Sequence, residues 1–261
     1  MILNFNFQYL ANRIFSIYST LSESLQKRLS TLLIFVNYCK SWSLFGITFK
    51  RTDNMNIMQK EIALANSPII FEDDFLSNDL NENWNVKSGE WEVKDGWCYG
   101  KHRDNSPGMI ISKRGFPGDV IVEFEAQNVL PSDHDINLMW NGSWNDSINK
   151  RGEAYVAGLQ GWWEGKVGIE KSPDYKLNAG TPLFCYDPGR KYHIMAGSIN
   201  GHCFIFVDGK LALEVTDPTP IDNIKNDKVG FEAYCSHIKI AKVRIRQVKW
   251  KERQLKYTPD F

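Results

Sequence analysis

The passage SDHDINLMWNGSWNDS, residues 132–147, sets Trp140 and Trp144 among Asn, Asp and Ser, and GEAYVAGLQGWWEG, residues 152–165, adds Trp162 and Trp163 between glycines. Indoles stack on the C–H faces of sugars, and amides and carboxylates bond their hydroxyls in pairs. That composition makes Asn137, Trp140, Asn141, Trp144, Tyr155, Gln160, Trp162 and Trp163 candidate sugar-binding residues. On an extended segment Trp162 and Trp163 point to opposite faces, so one is expected to plug the core and the other to line the cleft. Trp140 shares parity with Ile136 and Leu138, which favours a place in the core.

The same region holds groups able to move protons. His134 lies between Asp133 and Asp135, where neighbouring carboxylates favour its charged form and place it to act as a base. Glu153, Glu170, Asp135 and His134 are the candidate acids and bases. Asp133, Asp135 and Asn137 have the spacing that begins an EF-hand loop, but Leu138 stands where glycine is required and no suitable glutamate closes it. A structural Ca²⁺ on those three residues is the only cofactor the sequence offers. No GxSxG, Walker, Rossmann or HExxH pattern occurs, which argues against serine hydrolases, nucleotide enzymes and zincins.

These residues have to be positioned by strands. From Pro68 onward, short β-branched and aromatic runs alternate with Gly, Asn, Asp and Pro, and no helical period appears. In DVIVEFEA, Val120, Val122, Phe124 and Ala126 share one face and Ile121, Glu123 and Glu125 the other, which predicts one buried and one largely wet side. Asn200-Gly201 and Asp208-Gly209 predict two tight hairpins and a meander over 192–216. Further strands are expected at 69–73, 90–93, 97–101, 109–112, 136–140, 154–159, 166–170, 228–234 and 237–248. In the last, the apolar phase shifts from Ile238 and Ile240 to Val243 and Ile245, predicting a bulge near Ala241-Lys242. The fold class is all-β, a two-sheet antiparallel sandwich or jelly roll in one domain.

The segments FEDDFLSN (71–78), NWNVKSGEWEVKDGWCYG (83–100), YHIMAGSINGHCFIFVDGKLALEVTDP (192–218) and KVGFEAYCSHIKIAKVRIRQV (228–248) resemble, in order, the concanavalin A-like lectin and glucanase jelly rolls. The likeness is strongest to the laminin-G-like and 3-keto-disaccharide hydrolase-like bacterial domains, and covers about residues 68–250. It implies a concave sheet that cradles a carbohydrate. Glucanases of this fold carry an E-x-D-x-E run on one strand; here Glu123-x-Glu125 is the nearest approach, so a standard two-carboxylate hydrolase is not implied. The expected function is oligosaccharide binding, with a glycoside hydrolase or lyase as the alternative and a structural interaction module as the third reading.

Lys and Arg total 31 and so do Asp and Glu, so no global field draws the chain to nucleic acid or an anionic membrane. Lys and Arg alternating with apolar residues over 239–256 read as a charged outer strand. Five cysteines without a regular framework read as reduced thiols of a cytoplasmic protein. Residues 1–57 differ in composition and read as an extension, and 251–261 as a tail. The longest apolar run of the extension, Leu32 to Val36, is too short to span a bilayer. Met55 and Met58 are alternative starts, preceded by a Lys50-Arg51-Thr52 stretch whose codons can spell a ribosome-binding sequence.

Overall fold

A strand that alternates as residues 120–126 do must bury one face against another layer. The computed structural model describes residues 54–77, 79–103, 107–161, 166–182 and 186–253. Its strands are β1 (Asn54–Ile57), β2 (Lys60–Ala63), β3 (Ile69–Asp73), β4 (Trp84–Ser88), β5 (Glu90–Lys94), β6 (Trp97–Lys101), β7 (Gly108–Ser112), β8 (Val120–Asn128), β9 (Ile136–Gly142), β10 (Trp144–Asn145), β11 (Lys150–Arg151), β12 (Ala154–Leu159), β13 (Val167–Ser172), β14 (Asn178–Thr181), β15 (Tyr192–Ile199), β16 (His202–Val207), β17 (Lys210–Thr216), β18 (Lys228–Ala233), β19 (His237–Gln247) and β20 (Trp250–Glu252). No helix among the described residues is long and apolar enough to cross a membrane.

Two antiparallel sheets form the sandwich. One has seven strands in the order β14-β13-β12-β9-β18-β7-β4, and the other eight in the order β17-β16-β15-β8-β19-β6-β5, with β3 also pairing β19. Val120, Val122, Phe124 and Ala126 meet Ile136, Leu138, Trp140, Phe231 and Val229 in one core. Phe124 and Phe231 touch edge to face at 5.0 Å between centroids, and burying each such ring stabilises the fold by about 2 kcal/mol.

Local signals explain the joints. Asn200-Gly201 and Asp208-Gly209 both adopt positive φ, 49° and 76°, then 50° and 77°, as two-residue hairpin turns require. The bulge in β19 falls between Ala241 and Arg244, with Lys242 at φ 51°. Asp73 ties the start of the domain to its core, accepting bonds from the Trp84 indole N–H at 2.8 Å and the Asn83 amide at 3.0 Å.

One expectation is corrected. Ile121 lies on the side of β8 read as wet, yet it is fully buried. The reason is a third layer, the small sheet β1-β2-β20, whose Ile57 and Ile62 pack with Ile121, Met195, Phe204 and Phe206 on the outside of the eight-stranded sheet. The folded part therefore reaches beyond 68–250 at both ends.

Gly197 on β15 lies where the sheets leave no room for a side chain. A Cβ there would sit 2.1 Å from the Val120 carbonyl oxygen and 3.0 Å from Ile121 Cα, and backbone cannot rotate away. Gly197→Ala is expected to cost about 2 kcal/mol or more in urea unfolding, whereas Gly209→Ala, which meets no atom within 4 Å, is strained only through its φ of 77° and costs about 1 kcal/mol.

Candidate functional site

The outward face of the seven-stranded sheet is not a plain solvated surface. Met109, Ile111, Met139, Ala154 and Val156 form an apolar cluster on it, against which Trp144 packs. Trp144 belongs to a small hairpin in which it pairs with Arg151, and Lys87 lies over its ring at 5.9 Å. This hairpin carries Arg151 onto the sheet.

Parity then decides which polar groups Arg151 meets. On β13, Val167 and Ile169 enter the core, so Glu170 points outward; on β18, Val229 and Phe231 enter the core and Glu232 points outward. Arg151 donates from Nη1 to Glu232 Oε2 at 2.9 Å, from Nη2 to Glu170 Oε1 at 3.4 Å, and from Nε to Ser172 Oγ at 3.1 Å. Arg151, Glu170, Asn178 and Glu232, walled by Pro107, Tyr175 and Tyr234, line a cleft of about 390 Å³. Tyr175 and Tyr234 are 52% and 46% exposed, so each offers surface to a ligand.

A flat approach leads to this cluster. Across the sheet, Gly180 pairs with Gly168, Gly168 with Gly158, Gly158 with Asn137, and Asn137 with Glu232. Three strands thus contribute no side chain to that row. Gly158 is required by its neighbour, since a Cβ would come within 2.3 Å of Asn137 Oδ1.

Burial dominates the electrostatics. Asp135, at the entry to β9, is fully buried, and neither carboxylate oxygen has a hydrogen-bond partner. Burial, then repulsion from Glu232 and Glu170, push its pKa up from 3.8 to about 8. Glu170 is pushed up from 4.5 to about 7 by burial; Arg151 pulls it down and Glu232 pushes it further up. Glu170 Oε2 and both amide atoms of Asn137 are likewise buried without a partner. Burial alone would lower the Arg151 pKa, but Glu232 and Glu170 raise it.

The other candidates are distributed differently. Asn141 and Tyr155, expected at a cleft, are interior instead, and Trp140 takes the core place that its parity favoured. The Trp140 indole N–H donates to Ser198 Oγ at 3.1 Å, and Ser198 donates to Asn141 Oδ1 at 2.9 Å. Tyr155 donates to Asp217 Oδ2 at 2.9 Å and lies tilted against Trp140, 5.6 Å between centroids. Glu153 is exposed, accepts from Asn226 at 3.2 Å and lines a different hollow with Lys171 and Thr219. Gln160 accepts the Asp135 backbone N–H at 3.4 Å through its carbonyl. His134 is half-exposed, with Nδ1 3.6 Å from Asp135 Oδ2. Asp133 is exposed while Asp135 and Asn137 are buried. Among the described residues, no three His, Cys, Asp or Glu side chains are grouped to hold a metal ion. Trp162 and Trp163 lie outside the described residues. Sequence reasoning missed Arg151 and Glu232, and the only signal for Glu232 was its outward parity in KVGFEAY.

No protein-family model and no curated protein matches the chain. Solved structures do share its fold. A Bacillus subtilis protein of unknown function with a galectin-like fold aligns at TM-score 0.54 and 15% identity over 69% of this chain and 96% of its own. An endo-acting O-glycanase of the human gut microbiota aligns at 0.52 and 12% over 69% and 99%. The endo-β-1,3-glucanase of Pyrococcus furiosus aligns at 0.51 and 12% over 76% and 98%. The chain folds as a concanavalin A-like jelly roll.

A carboxyl whose pKa is higher folded than unfolded binds its proton more tightly in the folded state, so the stability it contributes is complete at low pH and is lost as pH rises through the folded value. For Asp135 that window runs from 3.8 to about 8, and for Glu170 from 4.5 to about 7. The urea midpoint is expected to fall between pH 5 and pH 9. Asp135→Asn should flatten the fall and raise stability at pH 9 by about 2 kcal/mol, and an unchanged slope would contradict this assignment.

Proposed function

We propose that the protein binds an oligosaccharide in the cleft on the outward face of the seven-stranded sheet. The observation that carries this reading is the make-up of that cleft: two carboxylates and a guanidinium largely withdrawn from solvent, with an exposed amide, Asn178, and two exposed tyrosine rings beside them. Rings supply flat apolar area for sugar C–H faces, and Glu170, Glu232 and Asn178 supply acceptors and a donor for hydroxyls. The side-chain-free row Gly180, Gly168 and Gly158 gives an extended ligand room beside them. Two structures that share the fold are named as a glucanase and an O-glycanase, which agrees with a glycan as ligand.

Buried polar atoms without a partner, such as Glu170 Oε2, each cost about 1–3 kcal/mol, and a hydroxyl placed against one offsets part of that cost. Calorimetric titration of the full chain with β-glucan, xylan, mannan and galactan oligosaccharides tests the reading. At least one is expected to bind, and Tyr175→Ala and Asn178→Ala should each weaken it by about tenfold while leaving the melting temperature within a few degrees. No binding across the panel, or affinity indifferent to both substitutions, would remove the cleft from consideration.

A further inference from the structure

The ionisable groups of the cleft do not balance. Among the described residues that line it, Arg151 is the only cation, and its nitrogens are engaged by Glu232, Glu170 and Ser172. Asp135 lies near enough to Glu170 and Glu232 to be repelled by both. Three acidic groups thus share one guanidinium. The acceptors left over are particular atoms. Glu170, whose side chain is 1% exposed, keeps Oε2 without a donor, and the buried Asp135 keeps both its oxygens so. Glu232 gives Oε2 to Arg151, while its Oε1 accepts no hydrogen bond among the described residues and its side chain remains 13% exposed. Glu232 is therefore the acid that a ligand can touch, and Glu170 and Asp135 act on it only from behind.

The chemistry of the missing partner follows from this surplus. A uronate or sulfated sugar would meet carboxylates with no free cation to offset the repulsion. A metal ion needs several oxygens at about 2.3–2.6 Å, and no three acidic, imidazole or thiol side chains are grouped for that among the described residues. An ammonium on a sugar ring donates several bonds of ordinary length, and it also lies favourably against the face of an aromatic ring. Tyr234 stands two residues after Glu232, lines the same cleft and is half-exposed. We infer that the preferred ligand is a glycan carrying a free amine, whose ammonium is held between Glu232 Oε1 and the Tyr234 ring. This rests on the cleft being the glycan site, and it names the kind of sugar the site selects.

The buried acids behind Glu232 support the assignment. Burial and the neighbouring acids hold protons on Asp135 and Glu170 close to neutrality, which is the response of carboxyls that lack a counter-charge. A ligand cation at Glu232 supplies that counter-charge and favours their ionised forms. A neutral sugar in the same place bonds Oε1 through a hydroxyl and leaves the surplus as it was. The two kinds of ligand therefore differ in affinity while sharing the rest of the cleft, with Asn178 and Tyr175 available to either.

The test is calorimetric titration of the full chain at about pH 6, where an amine is charged. Cello-, chitosan and chitin oligosaccharides of equal length share one backbone and carry a hydroxyl, an amine or an acetamide at the same carbon. Galactose with galactosamine and mannose with mannosamine extend the comparison to other ring geometries. At least one amine is expected to bind about tenfold or more tightly than its hydroxyl counterpart, and the acetamide to lose that advantage. Glu232→Gln keeps the shape but not the charge, and should bring amine and hydroxyl to within about twofold. Tyr234→Leu alters an exposed ring outside the sheet pairing, and should weaken the amine more than the hydroxyl. No amine preferred over its counterpart, or the wild-type preference retained in both variants, overturns the inference. The binding reading then stands if any neutral sugar binds and falls with it if none does. Spermidine bound as tightly as the amino sugar would show that the amine is read without the glycan, and would overturn the inference as well.

Discussion

The cleft is organised by one guanidinium. Arg151 satisfies Ser172, Glu170 and Glu232 with three different nitrogens, and the planar fork of arginine is what makes three partners at fixed angles possible. Lysine would offer a point charge and could not hold both carboxylates and a hydroxyl in one plane. Because Arg151 ends the small hairpin that begins with Trp144, the same contacts hold that hairpin over the apolar patch of Met139 and Val156. Packing and charge are therefore linked: loosening the arginine exposes the indole, and removing the indole frees the arginine.

The remaining carboxyl pushes the balance further. Asp135 accepts no hydrogen bond on either carboxylate oxygen, and its low-dielectric surroundings and the nearby Glu170 and Glu232 favour its protonated form. The fold bears that cost because the strand entry is pinned elsewhere, by Ser236 donating to the Asp135 carbonyl at 2.8 Å and by Asn128 donating to the His134 carbonyl at 2.7 Å. A large core and a third layer supply stability that a destabilised polar cluster consumes. A second buried ion pair, Lys171 with Asp217 at 2.9 Å, is fully partnered by Tyr155 and Thr219 and serves to fasten the loop after β17. The contrast between a satisfied pair and an unsatisfied one distinguishes a structural cluster from a functional candidate.

How much of this could be read from the chain differs by feature. The meander, the Asn-Gly and Asp-Gly turns and the β19 bulge were legible, because each depends on residues within a few positions of one another. Ile121 was misread because its covering layer comes from residues 54–63 and 250–252, far away in sequence. Trp140, Tyr155 and Asn141 looked like a sugar site by composition, yet parity sends the first two into the core, and the positive φ of 43° at Asn141 turns its amide inward as well.

By itself, the sequence determined the all-β class, the strand faces and the concentration of polar and aromatic residues around 132–165, since period-two patterning and turn chemistry act locally. Only the tertiary structure decided the cleft. Glu170, a candidate acid or base from the sequence, and Glu232, which reads as an ordinary outward carboxylate, are 62 positions apart, and only sheet order and the Arg151 hairpin bring them together. The physical reason is that burial of a charge is set by what covers it and pairing by what faces it, and both come here from strands that are distant along the chain.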